Sequence, residues 1–292
     1  MSDASGVRTW VGDDGVDRIF DAVCDTAAEI RTALVDRRET LDRENPSGDA
    51  VKAADVYADE RLESALFETG AVAAYASEER DAVVDGDGTY HVAADPLDGS
   101  SNLRPNNAMG TIVGVYDAPL PASGRDLVAA AFVLYGPNTT MVVADGETAS
   151  EYLLRDGDRR LLTEGLALPE EPTVYGFGGR RPDWTAGVRE FVADVEQRRL
   201  KLRYGGAMIA DVRQVLTHGG IFAYPELADR PEGKLRYCFE CAPLALVVES
   251  AGGRASDGAG DLLDADPPSL HARTPVYLGN ADLIDDLEAS LD

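Results

Sequence analysis

The stretch Asp95-Pro96-Leu97-Asp98-Gly99-Ser100-Ser101-Asn102 decides how this chain is interpreted. It directly follows residues 90–94, a short apolar run that is typical of a β-strand and that comes after a turn at residues 85–88. Because residues i and i+2 of an extended segment share a face, Asp95 and Asp98 can point to one place only if the chain bends between them. Pro96 stiffens such a bend, and Gly99 permits a tight turn after it.

The residues after Asp98 are suited to hold a phosphate. Ser100, Ser101 and Asn102 are residue types that often begin helices. Carboxylates placed ahead of free backbone N–H groups suit a metal ion that is bound to a phosphate. The alternative is an ordinary Asp-Pro, Asp-Gly turn, and the complete octapeptide disfavours it.

The octapeptide resembles the metal motif of class I fructose-1,6-bisphosphatases. The wider superfamily, which includes inositol monophosphatases, usually has Ile in place of Leu97 and Thr in place of Ser100. The resemblance extends from about Gly48 to the C-terminus and is strongest over residues 203–253. It implies an α/β (α+β) fold, a layered αβαβα sandwich of mixed sheets with helices between them. It also implies a phosphoric monoester hydrolase of gluconeogenesis that removes the 1-phosphate of fructose 1,6-bisphosphate. A broader sugar-bisphosphate or inositol phosphate phosphatase on the same site is the alternative.

The length of 292 residues allows one large domain or two ordinary ones, and 44% hydrophobic residues suffice for a packed core. Residues 161–172 are polar and contain proline, so we expect the domain boundary there. The N-terminal domain, 1–165, would carry the metal-binding carboxylates. The C-terminal α/β domain, 166–292, would bind the sugar phosphate.

The net charge of −26 indicates adaptation to a salt-rich cytoplasm, as in halophilic archaea. The acidic residues are spread along the chain, whereas a docking surface for a basic partner would gather them. At molar salt the Debye length falls to about 3 Å and screens their mutual repulsion. The same acidity excludes nucleic acid as a partner.

The three cysteines, Cys24, Cys238 and Cys241, form no disulfide framework, which indicates a reducing cytoplasm. Cys238 and Cys241 form a C-x-x-C pair without a second pair or a nearby histidine, so we expect no zinc site. There is no apolar run of 18 residues and the N-terminus is polar, so we expect neither a membrane span nor a signal peptide.

Hydrophobic periodicity predicts alternating helices and strands. The predicted helices cover residues 16–38, 56–67, 184–197, 208–218, 244–251 and 281–291. The predicted strands cover residues 71–76, 90–94, 111–116, 127–135, 139–144, 151–154, 221–224 and 274–278, and the four strands between 111 and 154 are expected to form an antiparallel meander. Residues 40–48 are expected to form a polar loop.

A second pair of carboxylates, Glu78 and Glu79, ends the predicted strand 71–76 much as Asp95 and Asp98 end theirs. Strand ends in a parallel or mixed sheet converge on one crevice, so the four groups are expected to cluster. Close carboxylates repel one another unless cations neutralise them. We therefore expect two or three Mg²⁺ ions per subunit, with Mn²⁺ as a possible substitute.

The remaining site residues combine this reasoning with the family resemblance. The expected metal ligands are Asp49, Glu78, Asp95, Asp98, Glu240 and, from the resemblance, the carbonyl of Leu97. Asp55 and Glu79 resemble the pair that positions or deprotonates the attacking water. Asp49 and Asp55 match the family by spacing. No Ser-His-Asp site is expected, because the three histidines lie in unrelated segments.

The substrate contacts are expected from both halves of the chain. Asp98 and the backbone N–H groups of Gly99, Ser100 and Ser101 would hold the reacting phosphate. Lys234 and Arg236 share one face of an extended segment, with Glu240 farther along it by parity, and would bind the sugar phosphate. The resemblance adds Tyr204, Met208 and Tyr224 around the sugar and distal phosphate.

Two arginines extend the expected site. In the resembling enzymes the residue matching Arg203 reaches a neighbouring subunit's site, which implies a homo-oligomer, a dimer or a tetramer. Gly178 and Arg181 stand where those enzymes place an Asn and a Tyr on the distal phosphate. Arg180 or Arg181 could instead hold that phosphate by a bidentate contact, or the two could form a solvated pair.

Overall fold

The computed structural model describes residues 9–46, 48, 50–155 and 157–291. The α-helices of that part are α1 Asp14–Ala33, α2 Ala53–Glu68, α3 Ala186–Gln197, α4 Met208–His218, α5 Ala242–Ser250 and α6 Ala281–Leu291. The first strands are β1 Thr40–Glu44, β2 Ala50–Lys52, β3 Val72–Ser77, β4 Val84–Asp85, β5 Tyr90–Asp98, β6 Met109–Tyr116, β7 Leu127–Tyr135, β8 Thr139–Ala144, β9 Ala149–Arg155 and β10 Asp158–Thr163. The later strands are β11 Val174–Phe177, β12 Lys201–Leu202, β13 Gly220–Tyr224, β14 Leu235–Arg236, β15 Arg254–Ser256, β16 Arg273–Thr274 and β17 Val276–Gly279.

Helix α1 illustrates how local sequence sets an element. The Asp13 carboxylate accepts hydrogen bonds from the backbone N–H groups of Gly15 and Val16, which caps the helix start. The apolar face predicted from the 3.6-residue period is buried, including Ile19 and Ile30. The α-helix ends at Ala33, and a 3₁₀ turn at Leu34–Asp36 completes the segment expected to be helical to residue 38.

Over the described residues, the larger sheet has eight strands in the order β10-β9-β8-β7-β6-β5-β3-β4. All neighbouring strands in it are antiparallel except β3 and β5, which are parallel. The strands from β6 to β10 follow one another along the chain. Strands β6 to β9 confirm the predicted four-stranded meander, and β10, which was not predicted, extends it by one strand. The parallel pair is the local feature that brings two strand ends to the same edge of the sheet.

The smaller sheet has five strands in the order β12-β11-β13-β17-β15. Its β11 is parallel to both β12 and β13, whereas β17 is antiparallel to β13 and β15. All described strands of the larger sheet end by residue 163, and those of the smaller sheet begin at residue 174. The domain boundary at 165/166 stays a prediction, since the two sheets share one apolar core.

The elements stack in five layers. Helices α1 and α2 pack on the outer face of the larger sheet, and α4 and α5 fill the space between its inner face and the smaller sheet. Helices α3 and α6 cover the outer face of the smaller sheet. This mixed α/β arrangement confirms the predicted αβαβα sandwich.

Two predictions of local structure were wrong. Residues 40–48 were expected to form a polar loop, but Thr40–Glu44 pairs with Ala50–Lys52 as an antiparallel hairpin. Charged side chains mask this strand signal, because an exposed two-stranded hairpin shows no apolar alternation. The strand expected at 90–94 also continues to Asp98, so Asp95 and Asp98 lie within it.

Among the described residues, none of the helices is both long and apolar enough to span a bilayer.

Candidate active site

The carboxyl ends of the parallel strands β3 and β5 lie side by side. Ser77 is in register with Ala94, and the backbone N–H of Glu78 donates to the Ala94 carbonyl at 3.1 Å. Glu78 and Asp95, the residues next after this register pair, therefore lie at the same edge of the sheet. This pairing is the physical basis of the expected convergence of the two acidic segments.

A bulge at the end of β5 aims both of its aspartates at this edge. Asp95 faces Ile112 of β6 and Asp98 faces Gly110, so β5 uses one more residue than its partner over this interval. The extra residue changes the alternation of faces, which is the bend required by the spacing of the two acids. Asp95 also accepts a hydrogen bond at 2.9 Å from the backbone N–H of Leu97, which holds the bulge in shape.

Three buried carboxylates meet in the cluster formed by Glu78, Asp95 and Glu240. Oxygen atoms of the three groups all lie within 4.8 Å of one another. Glu240 comes from the π-helical turn Tyr237–Cys241, which lies between β14 and α5. The expectation that Glu240 continues an extended segment by parity was wrong. The turn instead brings its Oε2 back to accept a hydrogen bond at 2.7 Å from the backbone N–H of Arg236.

Burial and mutual repulsion raise the pKa values of this region. Burial, followed by the charge of Glu78, raises the pKa of Asp95 well above its usual range. Burial raises the pKa of Asp98 to about 7 and that of Glu240 to about 8, and the charge of Glu78 adds to both shifts. A hard divalent cation would remove this cost, and carboxylate oxygens are the ligands that such ions prefer. The donor set therefore fits a metal ion.

Asp55 and Glu79 form a second acidic pair beside the cluster. Oδ1 of Asp55 and Oε2 of Glu79 are buried, and no described residue is their hydrogen-bond partner. Burial, followed by the charge of Asp55, raises the pKa of Glu79 to about 8, and burial also raises the pKa of Asp55. Two buried acceptors without donors are suited to a water molecule that carries two protons.

The turn after Asp98 requires glycine for two reasons. Gly99 has a φ of 73°, in the left-handed region, and a Cβ at this position would lie 2.2 Å from the Cβ of Ala207. The short 3₁₀ helix Ser100–Leu103 follows directly. Ser100 accepts a hydrogen bond at 2.9 Å from Nζ of Lys52, at the start of α2. The expected phosphate loop is thereby packed between the two halves of the chain.

Helix α4 is joined to the acidic edge by its first turn. Oδ2 of Asp98 accepts a hydrogen bond at 2.7 Å from the backbone N–H of Ile209. Asp211 accepts one at 2.6 Å from Gly205, and its other oxygen is buried without a partner. Burial raises the pKa of Asp211 to about 6. The loop before α4, which carries Tyr204, is thus held against the site by carboxylates on both sides.

These groups surround a cavity of about 350 Å³, a size typical of small-molecule sites. Sequence-predicted residues that line it are Asp55, Glu78, Glu79, Asp95, Leu97, Asp98, Gly99, Ser100, Ser101, Tyr204, Met208, Tyr224, Lys234, Arg236 and Glu240. Residues that the sequence did not single out include Asn45, Lys52 and Asp211. Their only sequence signals are a polar turn and single charges next to helix starts, which are common on ordinary surfaces.

Basic and aromatic side chains also line the cavity. Nζ of Lys234 lies 5.5 Å from the ring centre of Tyr224. Nη1 of Arg236 lies 2.8 Å from Glu78 Oε1 and 3.9 Å from Glu240 Oε2, so this buried guanidinium is paired with the acidic cluster. Burial, followed by the neighbouring Tyr224, raises the pKa of Tyr204.

Three predicted residues are not brought into the cavity by the described structure. Asp49 lies outside the described residues. Arg181 and Arg203 are exposed and do not line the cavity. Gly178 is buried, and a Cβ added to it would lie 2.3 Å from the ring of Tyr224. The aromatic ring therefore takes the space that a side chain at position 178 would need.

Comparison with known proteins gives matches over almost the whole chain. Residues 19–161 match the family model described as "Fructose-1-6-bisphosphatase, N-terminal domain", and residues 168–292 match the corresponding C-terminal domain model. The chain is 56% identical over 281 residues to the class 1 fructose-1,6-bisphosphatase of Natronomonas pharaonis, which covers 95% of this chain and 99% of that protein. It is 51% identical over 292 residues to one from Haloarcula marismortui, with both chains fully covered. The crystal structure of Leishmania major fructose-1,6-bisphosphatase in holo form has a TM-score of 0.91 at 28% identity, covering 96% of this chain and 95% of that one.

Proposed function

This chain belongs to the family of class 1 fructose-1,6-bisphosphatases, and on that premise we propose that it hydrolyses the 1-phosphate of fructose 1,6-bisphosphate. The products are fructose 6-phosphate and inorganic phosphate. The observation that carries the proposal is the meeting of Glu78, Asp95 and Glu240 within 4.8 Å of one another, in a cavity that also contains Lys234 and Tyr224. An acidic metal centre beside a cationic and aromatic wall suits a phosphorylated sugar.

The family is metal-dependent, and we propose Mg²⁺ as the ion, two or three per subunit, with Mn²⁺ as a substitute. The proposed ligands are Glu78, Asp95, Asp98, Glu240, Asp49 and the carbonyl of Leu97. When bound, the metal supplies Lewis acidity that polarises the phosphoryl oxygens and offsets the charge on the leaving oxygen. Burial and mutual repulsion raise the pKa values of Asp95, Asp98 and Glu240, and a bound cation would offset that repulsion.

The water is positioned and deprotonated by the chain's own carboxylates. Asp55 and Glu79 each present a buried oxygen that no donor of the described residues reaches, and these oxygens accept hydrogen bonds from the two O–H groups of the water. As the water oxygen bonds to phosphorus, one proton passes to this pair. The bond between phosphorus and the C1 oxygen breaks, and that oxygen leaves with the sugar and takes up a proton.

Backbone and basic groups orient the substrate. We propose that Gly99, Ser100 and Ser101 hold the reacting phosphate through their backbone N–H groups, next to the carboxylate of Asp98. Lys234 and Arg236 bind the sugar phosphate, while Tyr204, Met208 and Tyr224 line the sugar and its distal phosphate. In that assignment the N-terminal half supplies the metal centre and the C-terminal half supplies the sugar site.

We also propose that the protein works as a homo-oligomer, a dimer or a tetramer, in the cytoplasm. The exposed Arg203 is free to extend towards a second subunit, in line with the family resemblance. The three free cysteines are buried and suit a reducing compartment.

The proposed function is tested by phosphate release at molar KCl with Mg²⁺. Fructose 1,6-bisphosphate is compared with inositol 1-phosphate, and a parallel reaction contains EDTA in excess of the metal. We expect rapid, EDTA-sensitive release from the sugar bisphosphate and little from the inositol phosphate. Equal rates on both substrates would replace the proposal with a broader phosphatase, and no release from either would overturn it.

A further inference from the structure

Lysine is nearly absent from this chain. Only Lys52, Lys201 and Lys234 occur among 292 residues, although lysine and arginine together number 27. Two of the three, Lys52 and Lys234, line the same cavity, and Lys201 is exposed on β12. A chain that uses arginine almost everywhere for positive charge therefore keeps lysine at two positions of one site, which indicates a need for a compact ammonium group there.

Lys52 connects the two segments expected to surround the reacting phosphate. Its backbone N–H donates to Asp55 Oδ2 at 2.7 Å, at the first turn of α2. Its Nζ donates to Ser100 Oγ at 2.9 Å, at the start of the phosphate loop. A hydrogen bond from Ser100 also opposes the rise that burial causes in the pKa of Asp55. One lysine thus contacts both the proposed base and the proposed phosphate loop.

The other two cations of the cavity make their observed contacts away from Ser100. The Arg236 guanidinium is paired with Glu78. Lys234 lies next to the Tyr224 ring, which is proposed to line the sugar. Lys52 is the cation beside Ser100, in a cavity that also holds seven carboxylates: Asp55, Glu78, Glu79, Asp95, Asp98, Asp211 and Glu240. An ammonium group carries three donors, so the bond to Ser100 leaves two for a bound anion.

We propose that Lys52 is a further catalytic residue, whose ammonium group binds the phosphate being transferred and stabilises the charge that develops on it. The inference rests on the proposed function. Lysine suits this position because it acts as a point charge, whereas the planar fork of arginine would pair with the surrounding carboxylates in bidentate fashion. A group aimed at charge that grows during the reaction affects turnover more than substrate binding.

The test compares Lys52→Met with the matched control Lys201→Met, at molar KCl and saturating Mg²⁺. Loss of one donor to a developing charge lowers kcat by about 100- to 1000-fold, so we expect a fall of that size for Lys52→Met with little change in KM. The Mg²⁺ concentration for half-activation should stay within about twofold in the same variant. Lys201→Met should match the wild type. Near-wild-type kcat in Lys52→Met would overturn the inference.

A chemical rescue separates the ammonium group from a purely structural role. Lys52→Cys is treated with 2-bromoethylamine, which places an amine close to the position of the native one. Burial raises the thiol pKa of the native Cys24 and Cys238 to about 11, and Cys241 is fully buried, so we expect these thiols to react more slowly than the introduced one. We expect treatment to restore kcat at least tenfold in Lys52→Cys and to leave the wild type unchanged. If Lys52→Met fails to fold and shows no melting transition, the rescue of Lys52→Cys still tests the proposal. Absence of rescue in a folded Lys52→Cys variant would contradict it.

The two proposals fail in different ways. A wild type that does not hydrolyse fructose 1,6-bisphosphate removes the proposed function, and with it the reaction that Lys52 is said to serve. A wild type that is active, together with an equally active Lys52→Met, removes only the role of Lys52.

Discussion

Asp95 is a buried member of the acidic cluster whose charge is strongly disfavoured by its surroundings. It is 4% exposed and shares the cluster with Glu78 and Glu240, and burial and repulsion hold its pKa far above the usual range. Such a group costs folding free energy unless a cation or a proton neutralises it. An amide at this position would avoid that cost, so we attribute the carboxylate at position 95 to function.

Asp95→Asn should abolish turnover because it removes one charge from the metal centre. Loss of charge stabilisation of several kcal/mol corresponds to about a thousandfold or more in kcat. In EDTA the variant should melt at or above the wild-type temperature, because a repelling carboxyl has been removed. Activity at saturating Mg²⁺ and melting in EDTA are measured on the same preparations. Near-native turnover in a folded variant would exclude the proposed cluster.

Gly99→Ala tests the packing of the phosphate loop. The added Cβ would lie 2.2 Å from that of Ala207, and the residue would have to keep a φ of 73°. Strain in the left-handed region costs about 1–3 kcal/mol, and the loop has to shift away from α4. We expect a lower urea midpoint and a loss of kcat, whereas Gly252→Ala, with a φ of 81° but no atom within 4 Å, should lower the midpoint and keep kcat. Equal kcat in the two variants would show that close packing at position 99 has no catalytic effect.

At the scale of elements, the two acidic turns are joined by His271. Its Nε2 donates to the carbonyl of Arg80 at 2.8 Å, just beyond Glu79. Its ring lies 5.2 Å from that of Phe239, next to Glu240. Arg80 is in turn fixed by ion pairs at 2.5 Å to Asp59 and 2.6 Å to Glu63 of α2. His271, which does not line the cavity, therefore fixes the distance between the end of β3 and the π-helical turn.

His271→Phe should loosen this spacing while keeping the ring. Loss of a neutral hydrogen bond costs about 0.5–1.5 kcal/mol, so the Mg²⁺ concentration for half-activation should rise roughly 2- to 10-fold. The KM for the sugar bisphosphate should change little, because His271 does not line the cavity. Activity is titrated with Mg²⁺ at fixed ionic strength. His271→Gln, which keeps a donor, should recover part of the loss, and equal losses in both variants would point to packing alone.

Elements with a strong period were predictable from the sequence, and their irregular ends were not. The apolar stripe of α1 and the meander from β6 to β9 depend on repeated local patterns, which a single sequence displays. The bulge in β5 and the π-helical turn at Tyr237–Cys241 arise from tertiary packing and leave no periodic trace.

The same distinction holds for the candidate site. Asp95 and Asp98 could be predicted because they lie in one dense motif. Lys52 and Asp211 reach the cavity through long-range contacts, of Lys52 with Ser100 and of the first turn of α4 with Asp98. The sequence left open whether Arg181 holds the distal phosphate or is solvated; the side chain is exposed, and its role on the distal phosphate stays a prediction. Contacts between segments far apart in sequence are the information that composition and spacing lack.

At the scale of the whole molecule, the charge of −26 sets the dependence on salt. Dilution from molar KCl to tens of millimolar increases the Debye length. The weaker screening strengthens the repulsion among the acidic side chains. We expect the melting temperature and the activity to fall together on dilution. Melting curves at a series of KCl concentrations measure this, with sucrose as a control for general osmotic stabilisation. A melting temperature that stays flat over the series would refute the adaptation to high salt.

Specific binding of Mg²⁺ can be separated from this general screening. An ion that binds only the folded state stabilises it by RT ln(1 + [L]/Kd), about 2.7 kcal/mol when its concentration is 100 times Kd. One kcal/mol shifts the melting temperature of a large domain by about 2–4 °C, so at 2 M KCl the wild type should gain roughly 5 °C or more from millimolar MgCl₂. Screening is already complete at that ionic strength, and the added salt changes it negligibly. Asp95→Asn lacks one of the three clustered carboxylates, so it should gain little. An equal gain in the variant and the wild type would place the ion outside the cluster of Glu78, Asp95 and Glu240.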